Sequence, residues 1–327
     1  MRRIGLAVVL AVSLAVAPLV AEAQQRHIPR VGVVAAQTRE VAIQYDAAFR
    51  DGLQSAGYVE GRDITIEWRY FDGRPESLAA HAAELVRLNV DVIVAANQPV
   101  IDAAKQATST IPIVMVLSGA DPIRRGYALG LAQPGGNVTG FWPQTPEIVA
   151  KRLQLLLEVA PTTSRVAMLW DPAFVGLEEQ VQQTERAAEK LGVQLQVVGA
   201  PTPNDFDGAF AAMRRQRAQA VFVIGSSMHY VHRSRIAQLA KDNRLPSGCF
   251  LRAFAESGCL MSYSPDFADL WRRSAGYVDK ILRGARAGNL PIEQPTKFEL
   301  VINIKTAKAL GLTIPQSVLV RADQVIE

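Results

Sequence analysis

Short apolar and β-branched runs alternate along this chain with longer stretches whose apolar residues recur every three or four positions. The first run, Arg30-Val31-Gly32-Val33-Val34-Ala35, predicts a strand, and the pattern from Ile43 to Ala56 predicts a helix. Strands follow over Asp63 to Tyr70, Asp91 to Ala95 and Ile111 to Leu117, separated by helices over Pro75 to Leu88 and Val100 to Thr108. Val92 to Ala95 is apolar at every position. A strand with no polar face suits a parallel sheet covered by helices on both sides.

The rhythm restarts after a turn-rich stretch, Gln133-Pro134-Gly135-Gly136-Asn137. Val138 to Phe141 leads to a helix pattern over Pro146 to Val159, then to strands over Arg165 to Trp170, Val193 to Val198 and Ala220 to Ile224. Helices over Glu178 to Leu191, Asp205 to Arg215 and His232 to Asn243 are interleaved with these strands. Leu245 to Phe250 and Gly258 to Tyr263 extend the set; Asp266 to Leu282 reads as a helix, and Phe298 to Ile304 as an alternating strand. The fold class is α/β with two sheets, which implies a cleft between two lobes. Crossings are expected near 141, 262 and 291, giving an N-terminal lobe of 24–141 with 262–290 and a C-terminal lobe of 142–261 with 291–327. Several crossings make a hinge, and closure over a ligand is the expected motion.

Composition narrows the function. Arg2 and Arg3 precede an apolar run from Ile4 to Val20, and Ala21-Glu22-Ala23 places small residues at both positions a signal peptidase reads. The expectation is an exported, periplasmic protein cleaved after Ala23; Pro18 and the polar chain beyond it disfavour a permanent anchor. The formal net charge of +4 sits in short clusters such as Arg124-Arg125 without interleaved aromatics, so nucleic acid is not an expected partner. Cys249 and Cys259 are the only cysteines, and their spacing leaves both a disulfide and two buried thiols open. There is no G-x-x-x-x-G-K loop and no G-x-S-x-G turn, and His229 and His232 share a helical face with no further ligand signalled nearby. No catalytic residue, metal or cofactor is assigned.

Several segments resemble the substrate-binding proteins of ABC transporters in the tryptophan/tyrosine-type family. They are Phe49-Arg50-Asp51-Gly52-Leu53, Gly57-Tyr58-Val59-Glu60-Gly61-Arg62-Asp63-Ile64 and Lys105-Gln106-Ala107-Thr108-Ser109-Thr110-Ile111-Pro112-Ile113-Val114. Ala132-Gln133-Pro134-Gly135-Gly136-Asn137-Val138-Thr139-Gly140, Leu260-Met261-Ser262-Tyr263 and the stretch from Gln294 to Asn303 belong with them. The resemblance implies a type I periplasmic-binding-protein fold, two Rossmann-like lobes with parallel sheets flanked by helices and joined by a three-crossing hinge. It also implies a monomeric solute-binding protein that captures a small molecule, an amino acid or related compound, aromatic ones included, and delivers it to a membrane permease. Docking on a receptor as a sensor is the alternative. Ile123-Arg124-Arg125-Gly126-Tyr127 departs from the usual small, apolar segment of such proteins.

In open parallel sheets, ligands lie beyond the carboxyl ends of the strands, where loops and helix N-termini present N–H groups. The candidates in the first lobe are Gln37, Asn97, Gln98, Ser118, Gly119 and Asp121, with Thr139 and Phe141 at the crossing. In the second they are Asp171, Gly225, Ser226, Ser227 and Tyr263. Ser118 and Gly119 suit a carboxylate, and Asp121 suits either an ammonium group or, before Pro122, a helix cap. Asp171-Pro172 repeats that ambiguity. Phe141, Trp142 and Tyr263 read equally as a sandwich for a flat ligand or as interlobe packing.

Overall fold

The structure is a computed structural model and describes residues 27–35, 39–70, 75–143, 145–174 and 176–327. The leader at 1–23 and Gln37 lie outside the described residues. In chain order the strands are β1 (Arg30–Ala35), β2 (Thr65–Tyr70), β3 (Val92–Asn97), β4 (Ile113–Leu117), β5 (Val138–Phe141), β6 (Arg165–Trp170) and β7 (Gln194–Gly199). They continue as β8 (Ala220–Val223), β9 (Ser247–Cys249), β10 (Met261–Pro265), β11 (Ile292–Glu293), β12 (Phe298–Asn303) and β13 (Gln324–Ile326).

Two sheets result, one ordered β11-β5-β4-β3-β1-β2 and the other β13-β12-β10-β9-β8-β6-β7. The first is parallel throughout, with Val33 opposite both Trp68 and Val94. The second is parallel except between β10 and β12, where Met261 faces Ile302. Each contains the order 2-1-3-4-5, so the connections change direction between β1 and β3, and again between β6 and β8. A doubly wound sheet opens a crevice at that point.

Val92 to Ala95 and Ile113 to Val116 are fully buried, as their unbroken apolar character requires. The helix Arg39–Ser55 turns Ala42, Tyr45, Phe49 and Leu53 inward, while Ile43, Gln44 and Arg50 face outward. The helix Phe267–Leu282 comes from far along the chain and packs beside it. Its Trp271 stacks on Tyr45 with ring centroids 6.4 Å apart and meets Phe49 edge-on at 6.2 Å. Burying a side chain such as Phe49 stabilises the fold by roughly 1.5–3 kcal/mol, so the first lobe depends on residues that follow most of the second. Among the described residues, no helix is long and apolar enough to cross a membrane.

At the second and third crossings the two sheets divide a few residues past 262 and 291. β10 runs on to Pro265 within the second sheet, and β11 pairs with β5 in the first, Ile292 opposite Gly140. Ser264-Pro265 reads as a turn in isolation, and a two-residue strand between prolines carries no periodicity. The crossings are laced together. The Trp142 N–H donates to the Glu293 carbonyl at 2.9 Å, and the Asp266 N–H donates to the Lys297 carbonyl at 3.2 Å. Cys249 and Cys259 are both free and fully buried.

Candidate functional site

A cavity of about 110 Å³ lies between the lobes at both switch points. The first lobe contributes Tyr45, Asn97, Gln98, Leu117, Gly119 and Phe267 to its wall. Phe174, Gly176, Leu177, Gln180 and Gly225 come from the second, as do Ser226, Ser227, Tyr230, Phe250 and Leu251. On this scale a water needs roughly 10–15 Å³, so the space suits a small organic molecule.

The polar wall is built where strands end and helices begin. Asn97 closes β3 and caps the helix Gln98–Ala107, its Oδ1 accepting from the Val100 N–H at 3.4 Å. The positive end of that helix therefore meets the cavity. Gln98 is buried behind it, donating from Nε2 to the Tyr127 hydroxyl, while its Oε1 accepts from Ser118 Oγ at 3.2 Å. In the second lobe Ser226 caps the short helix Ser227–Val231, its Oγ accepting from the His229 N–H at 3.3 Å. His229 itself is fully buried, with Nδ1 3.2 Å from the Ile224 carbonyl oxygen, and burial holds its imidazole pKa below the ordinary value.

The rest is apolar and largely aromatic. The Phe250 ring packs directly against Gly225, where a β-carbon would stand 1.8 Å from its Cε1; only glycine fits. Burial pushes the Tyr45 hydroxyl pKa well up, so this group is a neutral hydrogen-bonding partner. The Arg233 guanidinium lies 4.6 Å from the Tyr230 ring centroid, outside the lining. Among the described residues no charged side chain lines the cavity. Polar groups of a ligand would be met by amides, hydroxyls and helix ends, and its body by aromatic faces.

The lobes are closed on this space. Gly176, at φ +97°, packs against the Gln98 side chain, and Gly119 faces the Gln180 carboxamide. The Asp121 N–H donates to Glu179 Oε2 at 3.1 Å, and Arg124 pairs with the same carboxylate at 3.6 Å.

Of the residues expected from sequence, Asn97, Gln98, Gly119, Ser226 and Ser227 converge on the cavity, together with Gly225. Gln37 lies outside the described residues, and the remaining candidates stand outside the lining. Ser118 is fully buried and donates to the Ala120 carbonyl at 2.8 Å. Asp121 Oδ1 accepts from the Ile123 N–H at 2.8 Å, and Asp171 Oδ1 from the Ala173 N–H at 2.9 Å, so both carboxylates hold turns. Thr139 donates to the Leu290 carbonyl at 2.8 Å. Phe141 packs edge-on against Tyr277, and Tyr263 stacks on Phe298. These last three brace the hinge. Sequence reasoning missed the aromatic walls Tyr45, Phe174, Tyr230, Phe250 and Phe267. Each sits on a helix, a loop or a strand end whose apolar pattern is that of ordinary core, and no local signal separates them from it.

Known proteins resemble this chain along most of its length. A family model described as ABC transporter substrate binding protein matches residues 30–326. A tyrosine-binding protein of Clostridioides difficile is 24% identical over 264 residues, covering 81% of this chain and 75% of the relative. The crystal structure of a conserved domain protein from Vibrio cholerae is 26% identical with a TM-score of 0.84, covering 91% of this chain and 99% of that one. The structure of an ABC domain from Streptococcus pneumoniae in complex with L-Trp is 25% identical with a TM-score of 0.83, at the same coverage of 91% and 99%. With a family match that spans both lobes and all three crossings, this chain belongs to the ABC transporter substrate-binding protein family.

Proposed function

We propose that the protein captures a small, largely aromatic solute in the interlobe cavity, as a periplasmic monomer, and presents the closed form to an ABC-transporter permease. The observation that carries this reading is the division of the cavity wall between the lobes: Asn97, Gln98 and Gly119 on one side, Gly225, Ser226 and Phe250 on the other. A ligand completes its contacts only when the lobes close, so it binds the closed state more tightly and shifts the population toward it. Moving such an equilibrium from mostly open to mostly closed takes about 5.5 kcal/mol of differential affinity.

An aromatic amino acid or a related compound is the proposed ligand class. The aromatic faces of Tyr45, Tyr230 and Phe250 support it, as do the relative named for tyrosine and the neighbour that holds L-Trp. Asn97, Gln98, Gly119, Ser226 and Ser227 are the proposed polar contacts, and Gln37, two residues past β1 in the sequence, remains a proposed contact. The leader-like residues 1–23 and the family support export.

Calorimetry of the mature chain with L-tyrosine, L-tryptophan and L-phenylalanine tests the proposal, with L-leucine for comparison. At least one aromatic amino acid should bind with micromolar affinity, and small-angle scattering should show a smaller radius of gyration in that complex. Absence of binding by all three, or binding with no compaction, would overturn it.

A further inference from the structure

The segment Ile123-Arg124-Arg125-Gly126-Tyr127 does not line the cavity, but its Tyr127 bonds to Gln98, which does. Arg125 Nη2 donates to Asp102 Oδ2 at 2.8 Å, the Tyr127 hydroxyl donates to Asp102 Oδ1, and Gln98 Nε2 donates to the Tyr127 oxygen while also lying 3.5 Å from Asp102 Oδ1. Gln98 Oε1 accepts from Ser118 Oγ at 3.2 Å, sharing that proton with the Ala120 carbonyl.

Each link has a forced polarity. Asp102 receives the Arg125 guanidinium at 2.8 Å, and a carboxylate so paired offers its oxygens as acceptors. Tyr127 must therefore give it the phenolic proton. Burial, with Asp102 beside it, pushes the Tyr127 pKa well up, so that proton stays in place. A phenol that donates its proton to one neighbour can only accept from the other, so Gln98 must turn its NH₂ toward Tyr127. The two ends of a glutamine amide are nearly the same shape, and its hydrogen-bond network decides which way it points. Here that decision is made at Asp102, which lies outside the cavity lining.

With Nε2 engaged, Oε1 keeps a lone pair beyond the one facing Ser118. Gln98 is only 2% exposed, so no bulk water serves that lone pair. We infer that Asp102 and Tyr127 are positioning residues that hold Gln98 as a hydrogen-bond acceptor in the cavity, so that the site selects solutes presenting an N–H or O–H donor there. The inference rests on the cavity being the ligand site.

The test uses three probes, L-tyrosine, L-phenylalanine and 3-(4-hydroxyphenyl)propanoate; each of the last two lacks one donor that tyrosine has. Two affinity ratios against tyrosine are measured for the wild type and for Gln98→Leu, Tyr127→Phe and Asp102→Asn. Gln98→Leu should collapse one ratio, identifying the donor that Gln98 meets. Tyr127→Phe and Asp102→Asn should then lower the same ratio by about tenfold, the scale of one hydrogen bond. Asn at 102 offers an N–H and frees Tyr127 to turn its proton toward Gln98. A network with only a structural role would weaken all three probes together and leave the ratios unchanged. Unchanged ratios in both positioning variants, or in Gln98→Leu, would overturn the inference. If the wild type binds none of the probes, the proposed function fails, and NMR of the Gln98 side-chain amide in the ligand-free chain decides the inference separately. Cross-peaks from its Nε2 protons to the Tyr127 ring uphold the polarity, and cross-peaks to the Ser118 β-protons in their place overturn it.

Discussion

Gln98 of the first lobe and Gly176 of the second meet across the closed cleft at a separation that admits no side chain. A β-carbon on Gly176 would stand 2.7 Å from Gln98 Cγ. Gly176→Ala therefore adds a methyl group where only the closed state has a neighbour. Overpacking of this kind costs about 1–3 kcal/mol, and affinity is expected to fall by roughly fivefold to a hundredfold. The positive φ at this position adds strain of about 1–2 kcal/mol in open and closed states alike. Calorimetry should thus show a larger loss in binding than thermal unfolding shows in the ligand-free protein.

Glu179 and Asp121 separate an interlobe clasp from a local turn. Glu179→Gln keeps an acceptor for the Asp121 N–H but removes the charge facing Arg124, a contact 3.6 Å long in which Arg124 is 59% exposed. Affinity should drop only slightly, by about 0.2–1 kcal/mol, and become less sensitive to salt. Asp121→Asn should leave affinity unchanged, because the Asp121 carboxylate holds the Ile123 and Arg124 N–H groups rather than lining the cavity, and Asn caps about as well as Asp. Dissociation constants at low and high sodium chloride check both variants. A large loss for Asp121→Asn would place that carboxylate on the ligand.

His229 gives the second lobe a pH dependence. Its folded pKa lies below the ordinary value because burial disfavours the imidazolium. The unfolded chain therefore binds the proton first as pH falls, and the stability of the native state declines between the unfolded value and the lower folded one. The Tm of the wild type should fall relative to His229→Phe as pH drops from about 7.5 to about 5.5, where the unfolded histidine titrates. A Tm difference that stays constant over that range would show that His229 is not held neutral.

Cys249 and Cys259 are free, fully buried and in one apolar cluster, and burial drives the Cys249 thiol well above its ordinary pKa. The thiolate is the reactive species. Neither cysteine should react with a chromogenic disulfide reagent in the native protein, and both should react once the chain is unfolded in denaturant. Fast native-state labelling would contradict this burial.

The β-α rhythm was legible because strands such as Val92 to Ala95 are apolar throughout and the helices between them are amphipathic. The polar rim was legible for a related reason: Asn97 ends β3 and Gln98 follows it, Ser226 and Ser227 come shortly after β8, and the chemistry of capping a helix places Asn97 and Ser226 there. Asp121 and Asp171 follow strands too, yet local N–H groups claimed their carboxylates, which nothing in their sequence surroundings distinguishes from ligand binding. The aromatic wall was illegible. Tyr45 occupies a core position of an amphipathic helix, and only the approach of the second lobe turns its face into part of a site.

The three crossings also govern the order in which this protein is assembled on the ribosome. β11, the edge of the first sheet, and the helix whose Trp271 covers Phe49 both emerge after most of the second lobe. A lobe encoded in one continuous stretch would finish folding while the next was still being made. Here the earliest strands wait for residues as late as Glu293, an interval of roughly ten to fifty seconds at ordinary elongation rates. Throughout it the chain lacks its last native partners and stays accessible to the cellular machinery that handles unfolded polypeptides.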